Sequence, residues 1–291
     1  MTRSRVLLLL ALLLVLGAML WLLQEVGQHR NVRPTSTLPG EPGKETESPP
    51  PLPPSPGKEP GETRALSLPP KGPRVAIIID DLGYNEKDYR PFLEIGCPLT
   101  FAVLPSLPYS HRIAKEAKGR NREVLLHLPL EPLNYPAKNP GKGVLLSSMS
   151  RKELRKVLIQ DLESVPGATG VSNHMGSRLT RERKPMSILL TELKRRNLFF
   201  VDSLTTSGTI VAPLARELGV RVGARNIFLD NYRERAYIER QLDELAKIAR
   251  KKGEAVGVGH PYGITAAVLK DRLPQWEKEG IRIVSASRIV R

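Results

Sequence analysis

The chain has 291 residues, 26% of them charged, and a formal net charge of +15. A single cysteine, Cys97, excludes an internal disulfide framework and any multi-cysteine zinc site. Only 5% of residues are aromatic and no nucleic-acid motif is present, so the positive charge reads as solvated helix surface with some affinity for acidic polymers or lipid headgroups, not as a base-stacking interface; no nucleic-acid partner is expected.

Arg3 and Arg5 precede an uncharged apolar run over residues 6–23. About 18 apolar residues lie near the lower limit for spanning hydrocarbon. The run exceeds an ordinary signal-peptide core, and Gln24, Glu25 and Val26 follow it in place of a small-residue cleavage site. Residues 1–30 are therefore predicted to be an uncleaved signal anchor, with secretion after cleavage as the alternative. Positive charge at the extreme N-terminus keeps that end in the cytoplasm and puts the rest on the extracytoplasmic, periplasmic side, with the membrane as a partner. Residues 31–73 are dominated by Pro, Gly, Ser, Glu and Lys, too polar to bury a core and stiffened by proline. They are predicted to be a disordered tether. Residues 74–291, about 220 in all, suffice for one α/β domain.

From Arg74 onward a short apolar run, a polar break and a helix-period stretch recur. The first strand, residues 75–79, ends on Asp80-Asp81; Gly83 permits a turn, and Asn85 is placed to cap a helix over residues 86–95 that buries Tyr89, Phe92 and Leu93. A second strand covers residues 99–104, and Ser110 caps a helix carrying Ile113 and Ala117. The third strand, residues 123–126, ends at His127, before a loop punctuated by Pro129, Pro132, Pro136 and Pro140. Ser150 and Glu153 form a capping box ahead of Leu154, Val157, Leu158 and Leu162. The fourth strand, residues 168–172, ends at Asn173-His174, and Pro185 stands near the start of the next helix. The fifth, residues 198–201, ends at Asp202, and its helix stops at Gly219. The sixth, residues 226–229, ends at Asp230, and a long helix runs to Gly253. The seventh, residues 254–258, ends at Gly259-His260. A helix made irregular by Pro274 and a last strand over residues 281–284 complete the chain.

Seven or eight strand-then-helix units predict a closed (β/α)7–8 barrel with a parallel sheet, an open doubly wound sheet being the alternative. The glycine pattern of a dinucleotide site is absent after the first strand.

In such a barrel the strand ends open on one rim. Asp80, Asp81, His127, His174, Asp202, Asp230 and His260 all fall there. Of the four histidines after residue 73, only His111 lies elsewhere, on a helix start. Two histidines and one aspartate suit zinc or another first-row divalent metal. The remaining histidine and acids can move protons, which points to metal-assisted hydrolysis of an amide or ester. No Gly-x-Ser-x-Gly is present, and Cys97 lies at the wrong end of its strand for a barrel nucleophile.

Several ordered motifs then carry a resemblance: Ile78-Ile79-Asp80-Asp81-Leu82-Gly83, Leu125-Leu126-His127-Leu128-Pro129-Leu130-Glu131-Pro132, Gly170-Val171-Ser172-Asn173-His174-Met175-Gly176-Ser177, Phe200-Val201-Asp202-Ser203 and Gly259-His260-Pro261. On these the domain resembles the divergent polysaccharide deacetylases, a branch of the metal-dependent carbohydrate deacetylases. The resemblance implies a distorted barrel, a polysaccharide substrate and a divalent metal, zinc foremost. It implies Asp80 as base, Asp81 and His127 as metal ligands and His260 as general acid; Asp202, at a neighbouring strand end, is the expected residue to orient His260. The family's second motif ends in a further histidine where this chain has Glu131, so the third ligand is either Glu131 or His174; His174 is preferred because it ends a strand. The family's arginine has no clear match, and Arg178 is the candidate. Asn173 and Asp230 are further candidate site residues. Two rivals remain: a catalytically altered glycan- or envelope-binding module on the same fold, and a metal-free glycosidase using Asp80 with Asp202.

Overall fold

The computed structural model of the chain describes residues 72–291. The expected anchor over residues 1–30, and the expected tether over residues 31–73 except its last two positions, lie outside the described residues. No helix among the described residues is long and apolar enough to cross a membrane.

The strands are β1 (Arg74–Leu82), β2 (Thr100–Val103), β3 (Glu123–Leu130), β4 (Gly170–Met175), β5 (Phe199–Asp202), β6 (Val222–Ala224), β7 (Ile227–Phe228), β8 (Glu254–Gly259) and β9 (Arg282–Ile283). All pair in parallel, in the order β6-β5-β4-β3-β2-β1-β8-β7, with β9 added against the start of β1. The helices are α1 (Arg90–Leu93), α2 (Ser110–Gly119), α3 (Arg151–Ser164), α4 (Arg183–Arg195), α5 (Val211–Leu218), α6 (Arg235–Lys252) and α7 (Gly263–Lys278).

The sheet curls because one extended run serves both of its edges. Val222, Gly223 and Ala224 pair with Phe200, Val201 and Asp202 of β5. After only Arg225 and Asn226, Ile227 and Phe228 pair with Gly257 and Val258 of β8. The bonds Asn226 N to Val256 O (2.8 Å) and Leu229 N to Val258 O (2.8 Å) extend this second ladder. The result is the expected α/β barrel, distorted at this staggered seam. The sixth strand read from sequence, residues 226–229, is only the second half of the run. Its first half contains Gly223 and Ala224, which carry little strand signal.

Alternation divides the apolar residues into two layers. Ala76, Ile78, Ala102, Leu125, Phe199, Val201, Val256 and Val258 face the interior, closed at the strand starts by Ala286, Ile289 and Val290. Val75, Ile77, Phe101, Val124, Leu126 and Phe200 face the helices. Burial on both faces explains the nearly unbroken apolar runs. Each Val, Leu, Ile or Phe among them contributes roughly 1.5–3 kcal/mol when fully buried, and each Ala less. At the other end of the interior, toward the rim, Asp80 continues the face of Ala76 and Ile78, and His127 that of Leu125.

Local signals held where they were strong. Ser150 Oγ accepts from Glu153 N (3.3 Å), and Ser150 N donates to Glu153 Oε2 (2.8 Å), capping α3 at a worth of about 1 kcal/mol. Gly219 and Gly253 end α5 and α6 at φ 66° and 84°. The first expected helix is shorter than predicted, reduced to α1: Asn85 Oδ1 accepts from Asp88 N (3.0 Å), a local turn that competes with helix over residues 86–89. Ser110 lies inside α2, not at its cap, with Oγ donating to Leu104 O (2.5 Å). β3 and β4 run past their expected ends. Pro129 is tolerated within β3 because its carbonyl, and so its missing N–H, faces the edge where Leu145 N bonds Pro129 O (2.9 Å), away from β4. His127 and His174 therefore sit within strands, two positions out of register with each other, instead of beyond strand ends.

Asp161, on the buried side of α3, is 2% exposed and its Oδ2 has no hydrogen-bond partner. Burial pushes its carboxyl up to about 8. An unfolded aspartate ionises near ~3.9, so between about pH 4 and pH 8 the unfolded chain has released a proton that the folded chain keeps. Stability must then fall as pH rises through that window. Asp161→Asn is expected to remove this part of the slope, so that its urea midpoint gains on the parent's steadily from pH 5 to pH 8. A constant difference between the two across that range would show that Asp161 ionises normally.

Candidate metal centre at the barrel rim

Two adjacent residues of a regular strand point to opposite faces. Asp80 and Asp81 escape this rule because the register against β2 shifts between Ile79 and Leu82, and Asp81 takes φ 58°. Such a bulge re-aims a side chain, and aspartate tolerates the left-handed region better than most residues. Both carboxylates thus reach the inside of the rim.

Asp81 Oδ1 lies 3.1 Å from His127 Nε2 and 2.9 Å from His174 Nδ1, and the two ring nitrogens are 3.2 Å apart. Three donors on one tetrahedral ion with bonds of about 2.0–2.1 Å would be separated by roughly 3.3 Å, so this triangle fits a first-row divalent metal. Asp81 Oδ1 is buried without a satisfied hydrogen bond, as an atom awaiting a cation would be. His127 Nδ1 is 2.8 Å from Ser172 Oγ. With the proton on Nδ1, donated to Ser172, Nε2 is left as the acceptor that faces the triangle. Burial opposes ionisation of Asp81, but the close ring nitrogens of His127 and then His174 outweigh burial and hold its carboxyl well below the usual carboxylate range.

Asp80 is 3% exposed, and its Oδ1 has no hydrogen-bond partner. Burial raises its pKa by more than the nearby His127 lowers it. A carboxylate made more basic in this way suits a proton acceptor. His260 follows β8 directly. Its Nε2 is 3.9 Å from Asp81 Oδ2, and its Nδ1 donates to Asp230 Oδ1 (2.8 Å). Asp230 Oδ2 accepts from His260 N (2.7 Å) and Thr265 Oγ1 (2.8 Å). Burial disfavours charge on His260, but Asp230 first, then Asp81 and Asp80, outweigh it and raise its pKa. Phe228 stacks on its ring at 5.9 Å.

Asp202 does not orient His260. Its carboxylate accepts from Thr209 Oγ1 (2.7 Å) and Leu204 N (2.9 Å). It shares the outward face of Phe200, so the strand's alternation turns it away from the interior, and Asp230 takes that place. The glycosidase reading loses its second carboxylate for the same reason. Glu131 lies beside the centre but is committed elsewhere: Oε2 accepts from Ser147 N (2.6 Å), and Oε1 pairs with Arg178 Nη1 (3.2 Å). Arg178 also meets Glu182 and does not reach Asp80 through any ion pair. Asn173, on the outward face of β4, braces β4 to β5 by accepting from Ser203 N (2.8 Å).

Arg225 was not anticipated. It sits in the two-residue step between β6 and β7, its guanidinium 3.7 Å over the Phe228 ring, with Nε donating to Ser203 O (2.8 Å). Burial lowers its pKa, while the charges of Asp202 and Asp80 act to raise it. It is the arginine that feels Asp80, and no local motif marks it. Ser172 was legible in principle, because it precedes His174 by two residues on one face of a strand.

The sequence profile of the family described as divergent polysaccharide deacetylases matches residues 77–290. The uncharacterized protein YibQ of Escherichia coli (strain K12) is 34% identical over 227 residues, 78% of this chain and 70% of that protein. An uncharacterized protein of Haemophilus influenzae (strain ATCC 51907 / DSM 11121 / KW20 / Rd) is 36% identical over 197 residues, 68% of this chain and 70% of its own length. Among solved structures, that of an uncharacterized protein of Agrobacterium tumefaciens C58 superposes with a TM-score of 0.73 at 28% identity, covering 76% of this chain and 90% of that one.

Proposed function

The chain belongs to the divergent polysaccharide deacetylase family, and from that premise we propose that it is a metal-dependent hydrolase removing acetyl groups from a cell-envelope polysaccharide. The observation that carries the reading is the triangle of Asp81, His127 and His174 donor atoms, 2.9–3.2 Å apart, with a buried carboxylate and an aspartate-held histidine beside it. Those three residues would hold a divalent ion, zinc by the nitrogen-and-carboxylate donor set, which would supply Lewis-acid polarisation of the acetyl carbonyl.

The chain's own groups divide the proton work. Asp80, made basic by burial, accepts the proton from the water that attacks the acetyl carbon. His260, kept protonated by Asp230, donates from Nε2 to the leaving nitrogen or oxygen as its bond to that carbon breaks. Acetate and the free amine or alcohol are the products. Asp230 acts only through His260, as a positioning residue that also stabilises the imidazolium. We extend the proposal to the ends of the chain: residues 1–30 anchor the protein, residues 31–73 tether it, and the hydrolase works on the periplasmic side.

The full-length protein, supplied with zinc, is expected to release acetate from acetylated chitin oligomers or peptidoglycan. A chelator should stop release, and zinc should restore it. Stoichiometric metal binding without acetate release from either polymer would replace this reading with the glycan-binding module, which Glu131, bound to Arg178 where the family carries a histidine, makes the rival.

A further inference from the structure

We propose that Phe228, Tyr262, Arg225 and Arg233 are positioning residues for His260: a run of planar contacts fixes the imidazole plane and so aims Nε2 at the leaving atom. This rests on the hydrolase reading, in which His260 is the acid. It adds a constraint that Asp230 alone does not supply.

Asp230 Oδ1 holds one atom of the imidazole, Nδ1, at 2.8 Å. The last torsion of a histidine side chain has broad minima, so a hydrogen bond at one ring atom tolerates a range of ring planes. A proton donor must come within about 2.6–3.2 Å of its acceptor. Misplacement by ~1 Å at a reacting centre costs up to about 10²-fold. Something must therefore restrict the plane, and two aromatic rings lie against it.

The first ring comes from β7. Phe228 pairs with Val258 of β8 and packs against the interior layer, and His260 follows Val258 by two residues. The Phe228 and His260 rings are 5.9 Å apart and inclined by 24°. The second ring comes from the chain just past β8. Tyr262 N donates to His260 O (2.7 Å), a tight turn that brings the Tyr262 ring 5.8 Å from the imidazole at 34°. Both separations lie in the range of favourable ring pairs.

Each of these rings in turn carries a guanidinium group. Arg225 lies 3.7 Å from the centre of Phe228, and Arg233 lies 3.8 Å from that of Tyr262. These are the closest guanidinium–ring contacts among the described residues; Arg221 over Phe199 and Arg240 over Tyr237 stand at 5.6 and 5.9 Å. Arg225 is fixed in its own plane, because Nε donates to Ser203 O (2.8 Å) and Nη2 to Leu204 O (3.1 Å). Arg233 is exposed and has no ion pair among the described residues, yet its guanidinium lies on Tyr262. A flat guanidinium can cover a ring face in this way, and a lysine ammonium cannot. The tightest plates in the domain thus fall on the two rings that touch the acid, which general packing does not require.

The test compares leaving groups in the full-length protein supplied with zinc. A sugar nitrogen or oxygen needs a proton to leave, whereas 4-nitrophenolate leaves without one. Phe228→Leu and Arg225→Lys are each expected to lower kcat on acetylated chitin oligomers by roughly 10- to 10²-fold with little change in KM. Chelator-sensitive turnover of 4-nitrophenyl acetate should fall far less, so that the ratio of the two rates drops by roughly tenfold or more. Phe228→Tyr, which keeps the ring, should restore the ratio. Proton NMR reads the geometry without turnover: with and without zinc, the His260 ring protons should show Overhauser contacts to the Phe228 and Tyr262 rings. A parallel loss on both substrates, a parental ratio in Arg225→Lys, or a His260 ring without those contacts overturns the proposal. Failure of the hydrolase reading looks different: the parent itself then releases no acetate from chitin oligomers or peptidoglycan, and the aiming role falls with it.

Discussion

Asp81→Asn is expected to deprive the protein of its metal while leaving it folded. Asparagine occupies nearly the same volume and tolerates the left-handed backbone at least as well, so φ 58° at this position is no obstacle to the variant. What it loses is the negative charge that His127 Nε2 and His174 Nδ1 face at 3.1 and 2.9 Å. Protein zinc sites bind with about 10–16 kcal/mol over four ligands. Losing one ligand's share, about 3 kcal/mol, weakens binding by roughly 10²-fold. His174→Ala should do the same by removing a nitrogen. Glu131→Gln should retain the metal, because Glu131 bonds Ser147 N and Arg178 instead of the triangle. Competitive chelator titration and elemental analysis read all three variants. Full occupancy in both Asp81→Asn and His174→Ala would discard this ligand set, and loss of metal in Glu131→Gln would restore the alternative ligand. The parent's thermal midpoint should also rise on adding zinc, since a ligand at 100 times its Kd stabilises the folded state by about 2.7 kcal/mol. Asp81→Asn should show little of that rise.

Asp230→Asn should leave metal binding alone and reduce turnover by roughly 10²–10⁴-fold, the range for losing an oriented acid–base histidine. Asp230 accepts from His260 Nδ1, His260 N and Thr265 Oγ1. An asparagine at this position removes the charge that holds the imidazolium. The pKa of His260 is raised in the folded protein, chiefly by Asp230 against the opposing effect of burial. A group acting as acid is competent below its pKa and fails as pH rises through it. With Asp230 neutralised that pKa falls, so the alkaline limb of kcat/KM moves to lower pH. Asp202→Asn should not move that limb, because Asp202 bonds Thr209 and Leu204 N. An Asp230→Asn enzyme with parental kcat and an unshifted limb would remove His260 as the acid.

The amino-acid sequence alone determined the features that local physics controls. Unbroken apolar runs such as Ile77-Ile78-Ile79 marked strands buried on both faces. Ser150 with Glu153, Gly219 and Gly253 marked helix ends because capping bonds and left-handed backbone are decided within a few residues. The repetition of strand and helix indicated a barrel, and acids and histidines near strand ends indicated a rim site. Tertiary structure decided which of those residues meet. A side chain's face depends on register counted along a ladder, and one bulge or one misplaced boundary reverses it. That is why Asp81 joins Asp80 inside, why Asp202 faces the helices while Asp230 holds His260, and why the run through β6 and β7 divides its pairing between β5 and β8. Arg225 lies at that division, where the only signal is the meeting of two sheet edges far apart in the chain.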